Sequence, residues 1–471
     1  MRKILNEIQE IYNKHYKECH YIIYSVILLI FFVLVLNNPH FYEFNKDEIN
    51  AWNIATDLNI IEIIKLMKAE GHGIIWYLML KPFTLKPDLF FPWIIKWLNF
   101  VFIFAGLIIF WFKAPINILF KILITFSFPL FGCLAILGRC YGIGIFLLCL
   151  IALNYQNRLN KPVLFSLLLL VTAHTSLIAS IAVSGLSIVY TFELLKEKKL
   201  KNIVPLCILF LIPITLYCLW HNPVIPSYVF KGYMKKSTIF KYCLFKSYKI
   251  IPTPVTPIII YALGSVISVM LFRYSKPLLI SFIITYTTCL YFTLCIYGLF
   301  EHHYYFMFVT FCIYYWMFNT TQPQNINKTI ELTFTIWLTC LCLIMTPFIK
   351  QNPFWFTTND LLNEKLNCIH ENIPKQSTVF GSMYSLGHEY PYLKNDYNFK
   401  TYNNKIFNSF ESYFNIYNFS DEKIDINELK QINTNNKFLM ININFAEDRK
   451  LPENFAKNVI KCTNVFIMKL D

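Results

Sequence analysis

The stretch "YIIYSVILLIFFVLVL" (Tyr21–Leu36) decides the fold. It carries no charge, and as a helix it approaches the thickness of a bilayer's hydrocarbon core. The segment before it, Met1–His20, is charged and contains Arg2, Lys3, Lys14 and Lys17. No small-residue cleavage site follows, so the run reads as a retained signal-anchor and not as a removed leader. Comparable runs recur through most of the first 350 residues. A chain that is 56% hydrophobic and 15% charged, with mean hydropathy +0.45, is excluded from the ordinary soluble globular class.

Taking roughly 20 apolar residues per crossing, about eleven spans are expected. They fall near 21–37, 93–112, 119–136, 140–154, 162–174, 177–192, 203–220, 255–272, 277–299, 304–318 and 329–348. Loop charge sets their orientation. The N-terminal segment, Lys113 to Lys121, Arg158 to Lys161, "LKEKKLKN" (Leu195–Asn202), "RYSK" (Arg273–Lys276) and Lys328 all fall on one side, which should be cytoplasmic. The formal charge of +14 is thereby read as topology and lipid-headgroup contact, not nucleic-acid binding. The opposite side receives the first loop (38–92), Arg139, "EHH" (Glu301–His303) and everything after about residue 349. "KGYMKKSTIFKYCLFKSYK" (Lys231–Lys249) breaks the pattern, being basic yet external by alternation. Either a span is miscounted, or the loop is a solvated, headgroup-touching segment or a grip on phosphate.

The chain thus divides into a transmembrane domain, 1–348, and a tail, 349–471, where Ile and Leu give way to Asn, Lys, Asp and Tyr. Strand-like runs at Ser377–Met383, Lys437–Asn444 and Asn464–Leu470 alternate with helical patterns at Asp360–Ile373, Asp425–Ile432 and Glu453–Ile460. That alternation predicts a small extracytoplasmic α/β domain. Most of the 14 cysteines sit inside apolar runs as small buried residues. Cys368 and Cys462 lie in the polar tail, where an oxidising compartment would allow them to pair. "MYSLGHEYPYLKNDYNFKTYNN" (Met383–Asn404) is aromatic and polar, which suits either sugar binding or packing of the tail onto the rest of the protein.

The first loop is where chemistry concentrates. Asp47 and Glu48 open its most polar part, "NKDEINAWNIATDLNIIEIIKLMKAEGHGIIWYL" (Asn45–Leu78). Asn59 and Glu62 have capping-box spacing, and Ile60, Ile63, Ile64 and Met67 fall on one helical face, ended by Gly71. Such a helix would lie in the membrane interface. The two acids would then sit at headgroup depth, where a sugar linked through phosphate to a long lipid presents its reactive bond.

These residues resemble the bacterial membrane glycosyltransferases of the GT-C fold, in the branch related to protein O-mannosyltransferases and the aminoarabinose transferase of lipid A. The likeness lies in Asp47-Glu48, followed by Glu70-Gly71-His72-Gly73-Ile74-Ile75-Trp76, between the first two spans. Gly73 stands where proline is usual, and Ile75 replaces a leucine. "ILGRCYGIG" (Ile136–Gly144) is similar to an Arg-x-Tyr segment of the second external loop, and "VTAHTSLI" (Val171–Ile178) to a Thr-His hairpin turn. The likeness covers most of the first 200 residues.

The resemblance implies a multi-pass plasma (inner) membrane enzyme that makes an inverting transfer from a polyprenyl-phosphate sugar. The acceptor would be a glycolipid, glycan or protein. It includes members that use a divalent ion and members that do not. A carboxylate within reach of the acceptor hydroxyl serves as base, and the departing phosphate needs positive charge. Asp47 is the expected base, with Glu48 bonding substrate hydroxyls. Glu70, His72, Trp76, Arg139, Tyr141, His302 and His303 are expected to bind substrate, with Arg139 meeting the phosphate. Several have a plainer explanation, and His72 could be only an interfacial residue. The two acids could cap the following helix, Arg139 could snorkel from a span end, and His174 reads as a packed turn residue. Glu301, His302 and His303 are adjacent, so they cannot all face one metal ion from a regular helix. The competing functional classes are a transporter or flippase for a lipid-linked glycan and a non-catalytic partner in surface-glycan assembly. Charge gathered at one surface favours interfacial chemistry over alternating access.

Overall fold

The computed structural model describes residues 16–67, 73–220, 265–266, 268–292, 301–321, 332, 335–336, 359–381, 386, 389–400, 426–434, 436–442, 459–463 and 465–470. Helices dominate, and a small sheet follows near the C-terminus. By compactness the chain forms two units. One holds residues 1–41, 96–214 and 235–353; the other holds 42–95, 215–234 and 354–471.

Three helices among the described residues are long and apolar enough to cross a membrane, each wholly or mostly within the first unit: Trp93–Lys113, Leu177–Glu197 and Leu200–Tyr217. Shorter apolar helices accompany them, including His20–Leu36, Tyr141–Asn154, Pro162–Ala173 and Lys276–Tyr291. Their packing depends on small residues where backbones meet. A Cβ on Gly185 would overlap the Ser281 carbonyl oxygen, and the Gly185 N–H donates to Thr285 Oγ1 at 3.2 Å. That approach joins Leu177–Glu197 to Lys276–Tyr291, as small residues do in membrane helix pairs.

Two charges assigned above to a basic cytoplasmic surface have partners within the protein. Lys121 is buried and its ammonium donates to the Trp111 carbonyl at 2.7 Å, capping the end of Trp93–Lys113. Arg158 grips Glu193 with two bonds of 2.7 Å. Loop charge counting registers a cation's place in the sequence, but not the carbonyl or carboxylate that a folded loop brings to it.

The second unit joins the first loop to the tail. In the loop, Asn45 caps Lys46–Asp57 and Asn59 caps Ile60–Leu66, each through a complete capping box. The expected box at Asn59 and Glu62 is therefore present. The lipid-facing stripe needs correction, because Ile63, Leu66 and Met67 are buried while Ile60, Ile61 and Ile64 are exposed. A helix of two turns with apolar residues nearly all round can bury either stripe, and packing inside the unit selects Ile63, Leu66 and Met67. Lys81 then crosses back, donating to the carbonyls of Ala55 at 2.7 Å and Leu58 at 2.6 Å. It closes the C-terminal end of Lys46–Asp57.

The tail carries a five-stranded sheet: β1 (Thr378–Phe380), β2 (Asn398–Lys400), β3 (Lys437–Asn442), β4 (Ile460–Cys462) and β5 (Val465–Lys469). Its order is β2-β1-β3-β5-β4. The β1 strand runs parallel to β2 and β3, and β5 runs antiparallel to both β3 and β4. Strand alternation divides β3 between two cores. Phe438 and Met440 join Ile369, Val379 and Leu393 in one; Leu439 and Ile441 join Phe380, Leu429 and Leu470 in the other.

The helical pattern expected over Glu453–Ile460 is corrected at its end. Ile460 begins β4, facing Ile467 across a hairpin, where cross-strand pairing overrides a helical pattern. Residues 453–458 lie outside the described set. Cys368 and Cys462 form a disulfide that ties helix Asn359–Asn372 to edge strand β4, across 94 residues of sequence.

Candidate functional site

The two first-loop acids occupy different environments. Asp47 and Glu48 are the second and third residues of Lys46–Asp57, where the helix N-terminus favours carboxylates. Asp47 is exposed. Glu48 is fully buried; its Oε2 accepts from the Asn45 N–H at 2.9 Å, and its own N–H donates to Asn45 Oδ1 at 2.9 Å. The helix-capping explanation thus holds for Glu48. Asp47 is presented to solvent by the turn that Glu48 holds closed.

Around them the unit is aromatic. Trp52 lies one turn beyond Glu48, with its ring 5.2 Å from Phe91. Phe91 meets Tyr392 of the tail edge-on at 4.9 Å. Burial pushes the phenol pKa of Tyr392 up, and the charges of Glu389 and Glu48 push it further. Burial likewise raises that of Tyr390, aided by Asp57. The two ends of Lys46–Asp57 therefore each act on one tyrosine of the short helix Tyr390–Leu393. This part of the aromatic tail packs on the first loop.

Trp76 is 1% exposed, and among the described residues its indole N–H has no hydrogen-bond partner. It sits in helix Ile74–Leu80, for which Gly73 is the N-cap. Glu70 and His72 lie outside the described residues, as does the basic loop Lys231–Lys249.

In the first unit, four of the expected binding residues come together from sequence positions far apart. The Tyr141 ring lies 5.4 Å from that of His302 and 6.2 Å from that of His303. Arg139 is within electrostatic reach of His303. The turn that carries Arg139 and Tyr141 is pinned from helix Trp93–Lys113. Lys96 donates to the Ile136 carbonyl at 2.7 Å, and Asn99 donates to the Leu134 carbonyl at 2.9 Å. Asn99 Oδ1 also accepts from the Gly142 N–H at 2.7 Å. A Cβ at Gly142 would overlap the Asn99 carbonyl oxygen, so the approach requires glycine.

His174 ends helix Pro162–Ala173, with its Nδ1 2.9 Å from the Leu170 carbonyl, the packed-turn placement expected of it. Among the described residues no three His, Cys, Asp or Glu side chains converge as a metal site.

Sequence reasoning passed over Lys96, Asn99 and Lys365. The signal for Lys365 was present. It falls on the apolar face of Asn359–Asn372 with Leu362, Leu366 and Ile369, where an unpartnered lysine would be costly. Comparison of the chain with family models, with curated proteins and with solved structures finds no match.

Proposed function

We propose that this chain is an integral membrane glycosyltransferase with a GT-C-like fold of about eleven spans. It would act by inverting transfer from a polyprenyl-phosphate-linked sugar to an extracytoplasmic glycolipid, glycan or protein acceptor. The observation that carries the reading is the contrast within Asp47-Glu48. One acid is buried and bound to the backbone, while its neighbour is exposed on the helix turn so held. A general base needs both rigid placement and access to the acceptor hydroxyl. Asp47 takes that role, and Glu48 becomes a positioning residue.

The reading assigns the leaving phosphate to Arg139, supported by Tyr141, His302 and His303. A guanidinium suits that role because it matches phosphate with paired donors. The Cys368–Cys462 disulfide supports an oxidising, extracytoplasmic side for the tail.

The test is complementation of a deletion strain with wild-type protein, Asp47→Asn or Asp47→Ala, with mass spectrometry of surface glycans. Loss of one sugar from the glycan at normal protein abundance is expected for both variants. An unchanged glycan would sink the enzymatic reading and leave transport or scaffolding in its place.

A further inference from the structure

The turn between helices Leu177–Glu197 and Leu200–Tyr217 gathers Lys196, Lys198, Lys199 and Lys201, and all of them are exposed. The carboxylates nearest in sequence are already engaged. Arg158 grips Glu193 with two bonds of 2.7 Å. Glu197 pairs with Lys199 at 3.3 Å and accepts from Asn202 Nδ2 at 3.4 Å, and the charge of Lys201 also acts on it. Lys196 and Lys198 make no ion pair among the described residues. Positive charge at this turn therefore outruns what the protein's own acids neutralise.

The lysines stand on a folded hairpin. Asn202 is 1% exposed; its Nδ2 donates to the Leu194 carbonyl at 2.9 Å, and its N–H donates to the Lys199 carbonyl at 2.9 Å. The neighbouring loop is tied to the same helix end, because Tyr190 O–H donates to the Arg158 carbonyl at 2.8 Å. A ligand that meets these lysines pays little to order the backbone that carries them.

Beside the charge the surface is apolar. Ile188, Phe192 and Leu195 share one helix face and are exposed. Leu200, set between Lys199 and Lys201, is 86% exposed, and exposed Ile203 and Val204 follow it. A soluble acidic partner would answer the lysines and leave Phe192 and Ile203 uncovered. A lipid answers both, with acyl chains along the apolar faces and an anionic headgroup at the cations.

We propose that this hairpin binds an anionic phospholipid, its headgroup phosphate met by Lys196, Lys198 and Lys201 and its acyl chains lying against Phe192, Leu200 and Ile203. The inference rests on the two helices crossing a membrane and is independent of the glycosyltransferase reading.

The test is native mass spectrometry of the full chain in detergent, titrated with phosphatidylglycerol and with phosphatidylcholine of the same acyl chains. Wild type is expected to bind phosphatidylglycerol at least about tenfold more tightly, since each lysine at a headgroup contributes roughly a fivefold preference. Combining Lys196→Gln, Lys198→Gln and Lys201→Gln should make the two lipids bind alike, whereas arginine at the same positions should keep the preference. Combining Lys375→Gln, Lys461→Gln and Lys469→Gln removes equal charge from exposed positions of the tail and should also keep it. Leu200→Ser should weaken both lipids severalfold through lost apolar contact. The proposal is overturned if wild type shows no preference, if the hairpin glutamine variant retains it, or if the tail variant loses as much. Displacement of the lipid by glycerol phosphate at a comparable concentration would also overturn it, marking a site for a soluble anion.

Discussion

Asn45 and Glu48 hold each other reciprocally, each side chain accepting the other's backbone N–H at 2.9 Å. The pair makes a rigid start for the helix that carries Asp47. Glutamine can complete the same box, so Glu48→Gln should keep the fold of the loop. Glu48→Ala should lose about 1 kcal/mol of stability with the cap. Under the proposed division of roles, Glu48→Gln retains most of the surface glycan while Asp47→Asn abolishes it. Equal loss in both at equal abundance would return Glu48 to direct contact with substrate.

The Lys365–Glu389 pair is expected to be costly to break and cheap to replace. Lys365→Met strands a buried carboxylate and should destabilise the second unit by about 3–5 kcal/mol. The double variant Lys365→Met with Glu389→Leu should recover most of that loss, since buried pairs exchange for apolar side chains nearly without penalty. Thermal unfolding of the detergent-purified chain distinguishes the outcomes. A double variant as unstable as the single one would mean that the pair itself holds the domain together.

Much of the architecture was legible because its causes are local. Capping boxes are four-residue patterns, and Asn59 with Glu62 is written within one such stretch. Apolar runs announce helices without tertiary information, and the short apolar run Phe438–Ile441 between polar residues announces a buried strand. The three-residue strands β2 and β4 were not legible, because their existence depends on the edge of a sheet already formed. The same distinction governs the candidate site. Asp47 and Glu48 stand out as neighbours in the chain. The meeting of Tyr141 with His302, and of Phe91 with Tyr392, joins positions far apart in sequence that no local pattern relates. Burial also separated two acids that look alike in sequence.

The disulfide gives a test of compartment and of domain stability together. Its loop of 94 residues constrains the unfolded chain strongly, and replacing both Cys368 and Cys462 with serine should cost about 4 kcal/mol. The oxidised chain should migrate faster on a non-reducing gel and shift on reduction. In a strain lacking its extracytoplasmic thiol-oxidation system, the slower form should accumulate. An unchanged reduced form in an oxidising-competent strain would contradict an extracytoplasmic tail.

Alkaline pH should loosen the tail through Tyr397. Its hydroxyl donates to the Ile373 carbonyl at 3.1 Å and lies 3.0 Å from His370 Nδ1. Burial, aided by the charge of Asp396, pushes its pKa from 10.0 up to about 12. The unfolded chain therefore loses this proton first. The stabilising contribution is complete below pH 10 and is lost as pH rises through about 12. Tyrosinate absorbance followed with unfolding should show the thermal midpoint falling across that window. Tyr397→Phe should flatten the fall while lowering stability at neutral pH.

Gly142 offers a way to disturb the Arg139 turn without removing a functional group. Alanine there would meet the Asn99 carbonyl, backbone that cannot rotate aside, so the helix must shift or the Gly142–Asn99 hydrogen bond must stretch. Overpacking of this kind costs about 1–3 kcal/mol. It would also move Tyr141 relative to His302 and His303. Gly142→Ala is therefore expected to reduce surface glycan about as far as Arg139→Ala does, even in protein that still inserts and accumulates. Gly106→Ala is the control, because its closest neighbour would be the Phe146 Cα at 3.3 Å, which a small helix adjustment accommodates. If Gly142→Ala and Gly106→Ala lose stability equally but both keep full glycan, the phosphate-binding role proposed for the Arg139–Tyr141 turn fails.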